Sequence, residues 1–182
     1  MAVAEYPAEQ LSTARAAVRP WPAPAFSPCT RMSWHEMLFM HWPVNTCHLR
    51  SLVPAGLEID TFGGQAWVGI IPFRMSGVAA RWLPPIPWIS RFPEVMVRTY
   101  VVVDNRPGVW YFSLDATCRF AVFMAKCVFA LPYTAARISM TRDGHWRRYR
   151  SRRCSGGKLT AELDVEYRPL GEPFEAPAGT LD

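Results

Sequence analysis

A chain of 182 residues, half of them apolar, 13% aromatic and only 19% charged, is long enough to bury roughly 70% of its unfolded surface and too apolar to stay disordered. Its net charge of +5 sits in residues 137–168, where nine Lys and Arg meet four acids and outside which the charges cancel. The longest charge-poor stretch, 120–136, is broken by Lys126 and Pro132 and falls short of the ~20 apolar residues of a membrane span, and the N-terminus lacks the apolar run of a secretory signal, so a cytoplasmic protein with no membrane partner is expected.

Residues 1–30 read as a flexible lead-in, because Pro20, Pro22, Pro24 and Pro28 remove backbone donors and restrict φ. The run WHEMLFMHW (34–42) is too short for periodicity to separate strand from helix, and a strand is the preferred reading. Asn45 caps a short helix over 46–53, which Pro54 and Gly56 end. LEIDTF (57–62) and QAWVGIIPF (65–73) form a hairpin around Gly63 and Gly64. An irregular connection over 76–94 carries Trp82, Trp88 and Phe92. VMVRTYVVV (95–103) and VWYFSLD (109–115) form a second hairpin. Phe120, Met124, Cys127, Val128 and Leu131 recur at three and four residues, which predicts one amphipathic helix over 116–130 with those side chains inward, and Pro132 stops it. A third hairpin turns at Asp143 and Gly144. The last strand, 158–167, alternates with Leu159, Ala161, Leu163, Val165 and Tyr167 inward and its acids in water. The residue 169–182 segment is a tail.

Five cysteines, odd in number and without CxxC spacing, read as reduced, mostly buried thiols and not as a disulfide framework or zinc site. The fold class is α+β, predominantly β, with one domain over 31–168.

HWPV (41–44), LEIDTFGGQAWVGIIPF (57–73), FPEVMVRTYV (92–101), GVWYFSLDA (108–116), ALPY (130–133) and YRSRR (149–153), in this order, resemble the YqjF-like family of uncharacterised proteins. The resemblance covers about 31–168. It implies the acetoacetate decarboxylase fold, a barrel of antiparallel hairpins with a buried pocket. It also implies a chain that stops short of closing the barrel, since the family continues beyond the last strand. Those decarboxylases form a Schiff base on one lysine beside another. The matching place here holds Leu131, Pro132, Tyr133 and Thr134, and the chain's only lysines are Lys126 and Lys158. Lysine-based decarboxylation is therefore not expected, and no cofactor is called for.

Arg98 and Tyr100 share one face of their strand and suit a carboxylate, the arginine through its two-pronged fork; supporting the sheet is the plainer role. Tyr133, in the lysine's place, can orient a ligand, but a phenol titrating near 10 needs a strong perturber to move protons at neutral pH, and a satisfied core tyrosine is the plainer role. His41 lies near His35 and His48 without the i, i+4 spacing of a helical metal pair, so a structural histidine is expected and no metal. Asp115 reads as the N-cap of the following helix, with catalysis as the alternative. Arg148, Arg150 and Arg152 share a strand face opposite Glu162, Asp164 and Glu166, so cross-strand ion pairing is expected in preference to nucleic-acid binding. The function expected is the binding or turnover of a small apolar carboxylate or keto compound through Arg98, Tyr100, Tyr133, His41 and Asp115. The alternative is a non-catalytic module that contacts a protein or nucleic acid through its tryptophan loop and arginine strand.

Overall fold

The computed structural model describes residues 27–155 and 157–171, so most of the expected lead-in and tail lies outside the described residues. The elements run β1 (Thr30–His35), β2 (Met40–Val44), α1 (Thr46–Arg50), β3 (Glu58–Ile59), β4 (Ala66–Ala80), β5 (Phe92–Val103), β6 (Arg106–Ala116), α2 (Arg119–Phe129), β7 (Tyr133–Ala135), β8 (Arg137–Asp143), β9 (Trp146–Ser155) and β10 (Lys158–Tyr167). A seven-stranded sheet has the order β1-β4-β5-β6-β7, with β2 also on β4 and β3 also on β5, and a three-stranded sheet has the order β10-β9-β8. Among the described residues neither sheet closes on itself into the expected barrel.

The run 34–42 is not one strand. Glu36 takes a left-handed φ of 53° and divides it, so β1 and β2 lie along different halves of the 15-residue β4, His41 facing Gly69 and Trp34 facing Met75. Asn45 does cap α1, its Oδ1 accepting from the Cys47 amide at 3.0 Å. Gly63 and Gly64 make a turn at φ 61° and 76°, closed by the Phe62–Gln65 bridge, but the chain before it crosses to β5 instead of returning along β4. The pull is apolar, because Ile59 packs with Leu49, Val53, Ala66 and Val101 in a second core. The β5–β6 hairpin is tighter than expected. Asp104 and Asn105, both at positive φ, turn it in the geometry that matches strand twist.

The larger core gathers Ile71, Phe73, Met75, Phe92, Met96, Leu114, Ala116 and Val122, each large side chain contributing roughly 1.5–3 kcal/mol by leaving water. Helix α2 touches it through Val122 and Ala121, so Phe120, Met124 and Val128, expected inside, are exposed. The cysteines also depart from expectation: Cys29, Cys47, Cys127 and Cys154 are exposed and Cys118 is partly buried. On β10 the expected alternation holds for Ala161, Leu163, Val165 and Tyr167, while Leu159 is exposed.

Candidate functional site

Strand register brings the chemistry together. Along β4 and β5, Gly69 pairs with Arg98, Ile71 with Met96, Phe73 with Glu94 and Met75 with Phe92, and paired residues in an antiparallel ladder point to the same face. On β6 the same face carries Ala116 opposite Glu94, Leu114 opposite Met96 and, past a bulge, Tyr111 opposite Arg98; Tyr133 of β7 lies beside Leu114. His41 joins the row opposite Gly69. Four of the five expected residues, His41, Arg98, Tyr100 and Tyr133, thus share one face of the large sheet.

At one end of that face His41 Nε2 and Tyr100 Oη are hydrogen-bonded at 2.7 Å, and the imidazole stacks on Phe39. The Arg98 guanidinium carbon lies 5.9 Å from the Phe39 ring centre and 5.6 Å from that of Tyr100, in reach of cation–π attraction. Arg98 Nε is buried and has no hydrogen-bond partner among the described residues. Gly69 makes the packing possible, since a Cβ there would stand 3.1 Å from His41 Nε2 and 3.6 Å from Arg98 Cγ.

At the other end lies a residue that sequence reasoning missed. Glu94 is 1% exposed, and the Tyr133 hydroxyl donates to its carboxylate, 3.0 Å from Oε1 and 3.2 Å from Oε2. Burial pushes its pKa from 4.5 up to about 7, against the lowering effect of the Tyr133 hydrogen bond and with a further push from Asp115. Tyr133 reaches Glu94 diagonally across β6, where the intervening residue is the small Ala116. Its own phenol is pushed upwards, by burial first and then by Glu94. Tyr133 therefore stays a neutral donor through the physiological range, and the group poised near neutrality is Glu94. The available signal was period two: Glu94 is a charge in phase with Phe92 and Met96.

Asp115 does not join this face and does not cap α2. It is a buried β6 residue opposite Val95, and Arg153 Nη1 of β9 donates to its Oδ1 at 3.1 Å. Burial raises its pKa more than Arg153 lowers it. The N-cap of α2 is Cys118, with no side-chain cap bond. Beside that ion pair, Tyr149 Oη donates to the Glu94 backbone carbonyl at 2.8 Å, so the small sheet is fastened to β5 and β6 at the level of Glu94. Its outer face carries the expected ion pairs, Arg148 and Arg150 on Asp164 at 3.0 and 3.1 Å and Arg152 on Glu162 at 3.2 Å. Lys126 and Lys158 are exposed, on α2 and at the start of β10, and neither stands on the shared face. Among the described residues no cluster of metal-ligating side chains occurs.

A family model described as an uncharacterised conserved protein, DUF2071, matches residues 31–182. The chain is 43% identical over 152 residues to the uncharacterised protein YqjF of Bacillus subtilis, covering 84% of this chain and 62% of that one. Among solved structures it resembles an acetoacetate decarboxylase from Legionella pneumophila, with a TM-score of 0.59, 15% identity, and 83% and 58% of the two chains covered. It also resembles the enduracididine biosynthesis enzyme MppR, complexed with the condensation product of pyruvate and imidazole 4-carboxaldehyde, with a TM-score of 0.61, 16% identity, and 84% and 60% covered. These likenesses show an acetoacetate decarboxylase-like fold, and the chain spans less than two thirds of the length of each of these relatives.

Proposed function

The chain belongs to the DUF2071 family of uncharacterised conserved proteins, and on that premise we propose that it binds a small apolar carboxylate or keto compound on the face shared by His41, Arg98, Tyr100, Glu94 and Tyr133. The observation that carries this reading is the buried, unbonded Nε of Arg98. Arg98 as a whole is only partly buried, but its Nε–H is shut off from water, and a buried donor without a partner forfeits about 1–3 kcal/mol. A ligand carboxylate supplies the missing acceptor, held by the guanidinium fork, while Phe39 and Tyr100 supply an apolar wall.

Glu94 stands four residues along β5, roughly 13 Å away by backbone rise. A short 2-oxo acid anchored at Arg98 keeps its carbonyl at that end, with the buried Met96 between it and Glu94, so Glu94, which gains or loses a proton near pH 7 with the Tyr133 hydroxyl bonded to it, sets the charge of the far end of the face. That MppR has been captured with a pyruvate-derived product is consistent with a keto-acid ligand.

The test is a thermal-shift panel of 4-methyl-2-oxopentanoate, octanoate and their alcohol counterparts on the wild type and on Arg98→Ala. We expect the acids to raise the melting temperature of the wild type, the alcohols not to, and the variant to lose the response. Equal stabilisation of both proteins would remove Arg98 from the site.

A further inference from the structure

The edge where β4 gives way to β5 carries a surface that the ligand face does not use. Between these strands, residues 81–91 leave the sheet and return, their base closed by the Val78 amide donating to the Ser90 carbonyl at 3.2 Å, and the loop is tied back by the Arg81 amide on the Cys29 carbonyl and by Arg31 Nη2 on the Leu83 carbonyl at 3.1 Å. Pro84, Pro85 and Pro87 stiffen it. Its large apolar side chains point out: Trp82 is 75% exposed, Trp88 is 88% exposed, and Leu83 and Ile86 are more than half exposed. Trp88 takes φ 80°, a conformation bulky residues rarely adopt.

This loop meets the start of α2 at its N-cap. Cys118 Sγ lies 3.7 Å from the Ile89 carbonyl, and α2 continues from there with Phe120, Phe123, Met124, Val128 and Phe129 exposed. The charges on these segments have one sign. Residues 76–91 and 117–142 contain no acid, and Arg31, Arg81, Arg91, Arg119 and Lys126 are all exposed, with no ion pair among the described residues.

We infer that the 81–91 loop and the outer side of α2 dock in plane on an anionic lipid surface, Trp82 and Trp88 entering the headgroup boundary and the arginines meeting lipid phosphates. Charge complementarity selects this occupant. A second copy would bring one basic rim against another, whereas amphipathic tryptophans above a wholly basic base fit the interface of an anionic bilayer. No helix among the described residues is long and apolar enough to cross a membrane, and this contact needs none.

The test is co-sedimentation of the full chain with vesicles of phosphatidylcholine alone and of phosphatidylcholine with 30% phosphatidylglycerol, over a salt series, with tryptophan emission read in parallel. We expect binding to the anionic vesicles only, weakening as salt rises, with a blue-shifted emission. Trp88→Ser should weaken partition roughly tenfold, and Arg91→Gln about fivefold. Both positions are exposed, and an unchanged thermal melt confirms that each variant folds. Absence of binding to anionic vesicles at low salt overturns the inference. So does a concentration-dependent dimer, seen by sedimentation velocity and abolished by Trp88→Ser, in place of lipid binding, since the surface would then belong to a second copy. Capture of nucleic acid in place of vesicles would likewise reassign the basic rim.

Discussion

Glu94 folds into a setting that favours its neutral form: it is buried, Asp115 stands near it and no cation pairs with it among the described residues, and the Tyr133 hydroxyl bonded to its carboxylate opposes this only in part. Its pKa rises from 4.5 to about 7 on folding, so between those values the native state holds the proton that the unfolded chain releases. The linkage sign follows: stability falls as pH climbs from about 4.5 to about 7 and then levels, a loss on the order of 3 kcal/mol. Glu94→Gln keeps an acceptor for Tyr133 and abolishes the titration. Urea melts should find the variant close to wild type at pH 5 and clearly more stable at pH 8, whereas an equal difference at both would contradict the account. Tyr133→Phe removes the bond that lowers the Glu94 pKa, so the Glu94 carboxyl carbon should titrate at higher pH by NMR. The alternation of Arg98 and Tyr100 was readable from a two-residue period. The environment of Glu94 was not, because its burial depends on β4, β6 and β7, which are distant in sequence. Asp115 was misread for the same reason: SLDA looks like a helix start, and Arg153, which explains the aspartate, lies 38 residues on.

Among the elements, β4 does most to assemble the face, since it accepts both β1 and β2 along one edge and β5 along the other. Gly69 is the point of closest approach. Gly69→Ala pushes a methyl to within 3.1 Å of His41 Nε2, and overpacking of this kind costs about 1–3 kcal/mol. We expect loss of the His41–Tyr100 hydrogen bond, visible as a shift of the His41 ring resonances, together with lower thermal stability. Unchanged resonances would mean that the strand absorbs the methyl. The turn residues were legible where local chemistry decides, as at Asp143–Gly144, whereas the second hairpin, expected to turn over 104–108, turns at Asp104–Asn105 alone. They misled at Gly63–Gly64, where the turn forms but the pull of Ile59 towards Val101 sends the preceding segment to β5. Helix α2 was legible as a helix, and its buried side was not, because periodicity identifies an apolar stripe without saying which neighbour covers it.

Across the whole molecule, two sheets meet through few polar fasteners. The Arg153–Asp115 pair is mostly buried, and removing one partner from such a pair leaves an uncompensated charge, costing about 3 kcal/mol or more. Arg153→Ala should lower the melting temperature markedly, whereas Arg150→Ala, whose ion pair is solvated, should not. Equal losses would place the attachment of the small sheet elsewhere. The class of fold was readable from strand spacing and from the ordered motifs of the DUF2071 family. The division into two open sheets was not, because it depends on which hairpin pairs with which. Whether the face around Arg98 takes the proposed acidic ligand can be read from the Nε–H resonance of Arg98 in the nitrogen-labelled protein during titration with 4-methyl-2-oxopentanoate. On binding, this resonance should shift and exchange more slowly with water, together with changes at Gly69 and Tyr100. An unmoved Arg98 resonance, with changes confined to α2 or β10, would contradict the proposal.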